Sequence, residues 1–290
     1  MKNKLVLCSF SFLAAILPLH LQAQGFYAGL NAGYGFPAAT SASFGEDMLT
    51  TITSSGYTVQ HTTRNLSFGT GMSYGLYLGY LFSPHLGAEL NVDYLSGHQY
   101  ILHTETDDGT SSSTTKMDDS WKGSLTRLTP CLRFQVGEKK AKLYLKTGMI
   151  IGLSPSVVHE ASGTFTAPAT STSSDDVWEY SGGISLGLRT TLGFMYKVSE
   201  TVNFFSEMTF NYQNWAPQRM LHTKSISNGT DILSRQNPSQ AETDFNSTYT
   251  DGGFQNPNAY TQADKIYLPF SSWGFTIGVH FFIEKPKDSK

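Results

Sequence analysis

Residues 66–82 read LSFGTGMSYGLYLGYLF, and the alternation within them decides the fold. Leu66, Phe68, Met72, Tyr74, Leu76, Leu78, Tyr80 and Phe82 fall on every second position, with Thr70 the one interruption. Between them stand Ser67, Gly69, Gly71, Ser73, Gly75, Tyr77, Gly79 and Leu81. A period of two is that of a β-strand with two unlike faces. One face here is apolar, and the other is nearly bare of side chains.

The same pattern recurs at 26–36, 86–100, 122–136, 142–153, 183–198, 201–213 and 266–283, which makes eight strands in all. The connections between them alternate in length. Short ones lie at 83–85, 137–140 and 199–200, and long polar ones at 37–65, 101–121, 154–182 and 214–265. In an up-and-down meander all four long connections meet at one end. That asymmetry is the mark of a membrane-spanning barrel. The reading is an all-β, transmembrane, antiparallel up-and-down β-barrel of eight strands. Ten strands remain open if a hairpin lies around Ser225–Tyr249.

Composition narrows the classes. Charged residues make up 15% of the 290, against roughly 25% in an ordinary soluble domain. A formal net charge of -3 gives no reason to expect nucleic acid as a partner. Residues 1–23 read as a secretory signal: Lys2 and Lys4, then an apolar run from Leu5 to Leu17, then Leu21-Gln22-Ala23 before the cut. That leaves 24–283 for the barrel and 284–290 as a short tail. With the signal removed, Cys131 is the sole cysteine, so no internal disulfide can form.

A soluble barrel has the same period with its faces reversed. Three features favour lipid outside. Several strands exceed ten residues, well past the usual five or six. The non-apolar faces carry Gly, Ser, Thr and isolated charges, where a water-facing exterior would carry more Lys and Glu. Tyr34, Tyr74, Tyr80, Tyr94, Tyr196, Tyr212 and Trp273 sit on the apolar faces near strand ends, as interfacial aromatic girdles do.

The final stretch, Thr276-Ile277-Gly278-Val279-His280-Phe281-Phe282-Ile283, carries a resemblance to a known family. Together with the eight strands it resembles the small OmpA/OmpX-like, porin-like outer-membrane β-barrels of Gram-negative bacteria. The resemblance spans about 25–283. It implies that Thr276, Gly278, Phe281 and Ile283 form an assembly signal read by the barrel-insertion machinery, and it implies residence in the outer membrane, with its lipid as partner. The EKPKDSK tail after Ile283 departs from members that end on the aromatic strand.

An eight-stranded barrel is just wide enough to be filled by side chains. The inward positions hold Glu89, Asp93 and Glu207 beside Arg127, Arg133, Lys146 and Arg189. Isolated charges there would be costly, so a salt-bridged plug is expected, with charges lining wet barrel mouths as the alternative. Glu89 and Arg133 are expected at similar heights on neighbouring strands. Cys131 reads as a small lumen filler, and Pro130 as an outward residue at a bulge.

His98, His103, His159 and His222 fall toward the long-loop end and His280 toward the lumen, with no HExxH or GxSxG string. No catalysis, cofactor or metal is therefore expected. The expected role is envelope integrity or surface interaction and adhesion through the loops, by a monomer with an unidentified extracellular ligand. A narrow porin for water, ions or small solutes is the alternative, and a lipid- or peptide-acting hydrolase the more remote one.

Overall fold

The computed structural model describes residues 25–38, 46–64, 66–138, 140–247 and 259–283. The signal and the tail read from the sequence lie outside these residues. Along the chain run β1 (Gly25–Pro37), the hairpin β2 (Glu46–Thr53) and β3 (Gly56–Thr63), β4 (Gly71–Leu81), β5 (Leu86–Asp108), β6 (Ser113–Gly137), β7 (Ala141–Ala167) and β8 (Thr170–Ser181). There follow β9 (Ser185–Lys197), β10 (Val202–Trp215), β11 (Arg219–Ser227), β12 (Thr230–Asp231), β13 (Glu242–Asn246), β14 (Thr261–Asp264), β15 (Leu268–Pro269) and β16 (Ser272–Phe282).

Eight of these close a ring in the order β1-β4-β5-β6-β7-β9-β10-β16, with every pair antiparallel. Closure leaves no free edge in the ring, so each wall strand pairs on both sides. The segment around Ser225 does not enter the ring: β11 pairs with β8, β12 and β13 instead. The barrel therefore has eight strands and not ten.

The alternation read from the sequence sorts inside from outside. Leu30, Leu76, Leu188, Leu192, Phe275 and Ile277 are among a continuous row of large apolar side chains exposed on the outer wall, while the residues between them face the lumen. Leu188 is 63% exposed in a chain whose buried residues are largely polar. A surface so apolar is at home in hydrocarbon.

Two expectations about strand ends are corrected. Leu66 and Phe68 do not lie on the outer wall; both are 2% exposed. The segment 66–70 folds inward before β4 begins, held by Phe68 N–H on the Pro269 carbonyl at 2.8 Å and Ser67 Oγ on the Ser271 carbonyl at 2.5 Å. Residues 268–271 turn in to meet it, so β16 starts at Ser272 and not near 266. The reason is packing: Leu66, Phe68, Leu268 and Phe270 join Leu95, Leu125 and Trp215 in an apolar cluster inside the long-loop end. A Cβ on Gly69 would strike the Phe270 carbonyl, so only glycine allows the two segments to meet.

The second correction concerns the loops. The stretches 101–121 and 154–182 are mostly strand: β5, β6 and β7 run for 23, 25 and 27 residues. Above the ring they continue as an open sheet in the order β3-β2-β5-β6-β7-β8-β11-β13-β14. Pro130 keeps register opposite Leu90; the register shift between β6 and β7 falls at Ser124/Thr126 instead, where β7 carries the extra residue between Leu153 and Ser156.

An arginine on the outer wall tests the assignment of faces. Leu192→Arg, on the row shared with Leu145 and Met208, is expected to destabilise the vesicle-embedded barrel by about 2–4 kcal/mol. Urea unfolding in lipid vesicles measures it, and an unchanged midpoint would place that row away from hydrocarbon.

Candidate functional site

The lumen is built in three layers. At the short-turn end lies an aromatic floor of Tyr27, Tyr77, Tyr144 and Phe205 with Leu81 and Met195, all buried. Each ring lies against a glycine directly across the ladder: Tyr27 on Gly79, Tyr77 on Gly29, Tyr144 on Gly193 and Phe205 on Gly278. A Cβ at any of these glycines would collide with the facing ring. Of the glycines in 66–82, Gly79 makes room for the Tyr27 ring, whereas Gly75 lies against Asn31 and Asp93 and Gly69 against the Phe270 backbone. His280 completes the floor, stacked on Tyr27 at 4.5 Å with Nδ1 3.1 Å from the Tyr77 hydroxyl.

Above the floor sit the seven charged residues picked out from the sequence, each no more than 8% exposed. They form two connected clusters. In the first, Lys146 Nζ lies 2.9 Å from Glu89 and 2.6 Å from Glu207. Arg133 stands 3.6 Å from Glu89 and covers the Tyr144 ring at 4.2 Å. Tyr144 donates to Glu207 at 2.7 Å and Tyr27 to Glu89 at 3.3 Å. In the second, Asp93 accepts from Arg127 Nε at 2.6 Å and from Arg189 Nη1 at 2.9 Å, while Arg189 Nε donates to Asn211. Buried charges are tolerated where pairing and extra hydrogen bonds offset their desolvation; the first cluster sets two cations against two carboxylates, whereas the second sets two arginines against Asp93 alone. Cys131 is buried beside them with a free thiol.

The third layer is the apolar cluster around Phe68, Phe270 and Trp215. Sequence reasoning missed it, because Leu66 and Phe68 keep the parity of the lipid-facing row beyond. Gly69 and Pro269, at the points where the two segments turn in, were the available signals.

On the outer wall the aromatic residues gather near both ends. Tyr80 packs with Phe26 at 4.7 Å and Phe82 at 5.4 Å beside the short turns. Toward the other end, Phe36 stacks on Trp273 at 4.8 Å, with Tyr34 against Phe36, and Tyr74 pairs across the ladder with Tyr94. Tyr196 and Tyr212 are exposed outward from β9 and β10. Of the residues in the assembly signal, Thr276 faces the lumen cavity, Gly278 lies under Phe205, and Phe281 and Ile283 point outward.

The sheet above the ring holds the histidines. Trp121, His159, Trp178 and His222 stack one on the next across β6, β7, β8 and β11, with centroids 3.8, 5.0 and 4.7 Å apart. His159 meets Asp119 at 2.8 Å and His222 meets Asp176 at 3.0 Å. Ser225 donates to the same Asp176 at 2.7 Å. Ser225 therefore faces the carboxylate and not the imidazole, unlike the serine of a Ser-His-Asp triad. His103 pairs with Asp118 at 2.6 Å on the exposed strands. Among the described residues no group of three or more His, Cys, Asp or Glu could hold a metal ion.

These features define a class: a transmembrane antiparallel β-barrel with a filled lumen and a tall water-facing sheet at one end. No protein-family model matches the chain, and no curated protein matches it. Among solved structures it is similar to CarO of Acinetobacter baumannii, at 15% identity over 88% of this chain and 96% of that one, with a TM-score of 0.32. It is also similar to Ail, the attachment invasion locus protein of Yersinia pestis, at 10% identity over 89% of this chain and 99% of that one, with a TM-score of 0.28. Both are outer-membrane β-barrel proteins, the same kind of barrel that the sequence resembles. The likenesses are too remote to transfer any property of either protein.

Lys146 is the most exacting position of the lumen. Lys146→Met leaves Glu89 and Glu207 without their shared cation and is expected to cost about 3–5 kcal/mol, read as a lowered unfolding midpoint. A midpoint within error of the parent would mean that the network contributes little.

Asp47 gives a pH-dependent prediction at the other end. It accepts from the His103 amide at 3.0 Å and from Arg64 at 2.6 Å, tying the β2–β3 hairpin to β5. Burial pushes its carboxyl up, but the amide and the guanidinium outweigh that and hold it below the ordinary value. A depressed folded value means that the tie is fully present above the ordinary value of about 4 and is lost as pH falls through the folded one. Hydrogen exchange at the His103 amide is expected to quicken over that acid range in the parent. In Asp47→Asn it should be insensitive to pH once intrinsic exchange is subtracted.

Proposed function

We propose that this protein is a non-conducting outer-membrane β-barrel. It acts without catalysis, in envelope integrity or in surface contact, through the sheet that rises beyond its ring. One observation carries the reading: the lumen is filled from floor to top by aromatic, ion-paired and apolar layers whose members are almost wholly buried. A narrow porin would need a continuous wet path, and these layers argue against one. The outer-membrane location is supported by the apolar belt, the aromatic clusters and the family resemblance of the closing strand.

The sheet built from β2, β3, β5–β8, β11, β13 and β14 supports the contact role. It presents Ser, Thr, Asp and Asn on rigid paired strands rather than on floppy loops, and binding residues concentrate on such exposed segments of stable scaffolds. Planar-bilayer recording of the purified protein tests the reading. The expected result is no stable unitary conductance, together with no swelling of proteoliposomes in small sugars. A solute-sized open channel would overturn it in favour of the porin.

A further inference from the structure

The charges inside the barrel do not balance. Arg127, Arg133, Lys146 and Arg189 bring four positive charges, and Glu89, Asp93 and Glu207 bring three negative ones, all of them buried. Lys142, half-buried at the short-turn end, adds positive charge and not negative. An unbalanced charge in a low-dielectric interior is costly unless a counter-charge accompanies it.

The place for a counter-charge is also present. A cavity of about 40 Å³ lies in the charged layer, bordered by Arg127, Arg189 and Lys146 and by hydroxyl and amide side chains such as Ser73, Thr276 and Asn31. About one probe sphere of 10–15 Å³ accommodates a water, so the space takes a few waters or one ion little larger than water. The three carboxylates on its wall are already engaged: Asp93 by two arginines, Glu89 by Lys146, Arg133 and Tyr27, and Glu207 by Lys146 and Tyr144. Arg189 donates from Nε to Asn211 and from Nη1 to Asp93, so a single carboxylate serves both Arg189 and Arg127.

We propose that the closed lumen holds one small monovalent anion of halide size, bound in this cavity beside Arg127 and Arg189. The proposal rests on the filled lumen argued above. The anion neutralises the surplus positive charge that two arginines around the single carboxylate of Asp93 leave. Size sets its selectivity: chloride and bromide fit, whereas gluconate does not. Its contribution to stability follows mass action, so the unfolding midpoint climbs with the logarithm of halide concentration above the dissociation constant.

Crystals of the intact barrel equilibrated with sodium bromide test this directly. A single anomalous peak is expected in the lumen beside Arg189, along with a higher thermal midpoint in bromide or chloride than in gluconate at equal ionic strength. Arg189→Gln brings the count to three against three and should lose both the peak and the halide-dependent shift. If that variant fails to fold, Ser73→Asp places a carboxylate on the cavity wall and should also abolish both. A parent barrel with no lumen peak and a midpoint indifferent to the anion would overturn the proposal. So would a peak that persists undiminished in the variants. Channel conductance would instead overturn the closed lumen, and an absent peak in a non-conducting barrel would leave that reading standing.

Discussion

The structure depends on the narrow interior of an eight-stranded ring being filled. Such a ring is just wide enough for side chains to fill and too wide to close on backbone alone. In a soluble protein the space would be packed with aliphatic side chains throughout, but here most of the ring's aliphatic side chains face outward and the apolar clusters inside lie at its two ends. The interior is therefore satisfied by ion pairs, and Lys146 between Glu89 and Glu207 joins strands β7, β5 and β10 across the lumen. Asp93 does the same for β5, β6 and β9 through its two arginines. These links cross the barrel, whereas ladder hydrogen bonds join only neighbouring strands. They brace the ring against collapse and fix its cross-section.

The glycines follow from the same constraint. A wall with side chains at every inward position could not also contain four large rings at one level. Gly29, Gly79, Gly193 and Gly278 each give up a side chain so that the residue opposite can lay its ring over the bare backbone. The rings in turn shield the lower charge cluster: Arg133 lies over Tyr27 and Tyr144, and Lys146 near Tyr77. Cation–π contact and desolvation act together there, since an aromatic wall strengthens the ion pairs it keeps from water.

Much of this was legible in the sequence because the bilayer imposes one rule on all eight strands. Alternation over 71–81 or 185–197 identifies both the strand and its lipid face, and the inward charges emerge as what remains. The rule fails where the bilayer ends. Leu66 and Phe68 carry the parity of the outer row yet turn inward, since no lipid is there to receive them and the barrel mouth has to be sealed. Above Leu102 and Trp121 neither face of the strands is buried, so SSSTTKMDDS and TSTSSDD lose the contrast that reveals a strand. Their pairing is set by backbone continuity with the ring below, which composition does not record. The Trp121–His159–Trp178–His222 stack was equally hidden, being assembled from four strands through register alone.

The two halves therefore answer to different solvents and divide the work. Within the ring, lipid outside and ion pairs inside leave little freedom to vary a residue without a cost of several kcal/mol. Above it, exposed Ser, Thr and Asp side chains stand on strands whose alignment is inherited from the ring, so they can change chemistry without disturbing the fold. On the non-conducting reading proposed above, transport is not the reason for such a barrel. What remains is a stiff base that holds a tall polar sheet at a fixed height and orientation above the membrane, where contact with other surfaces can be made and tuned residue by residue.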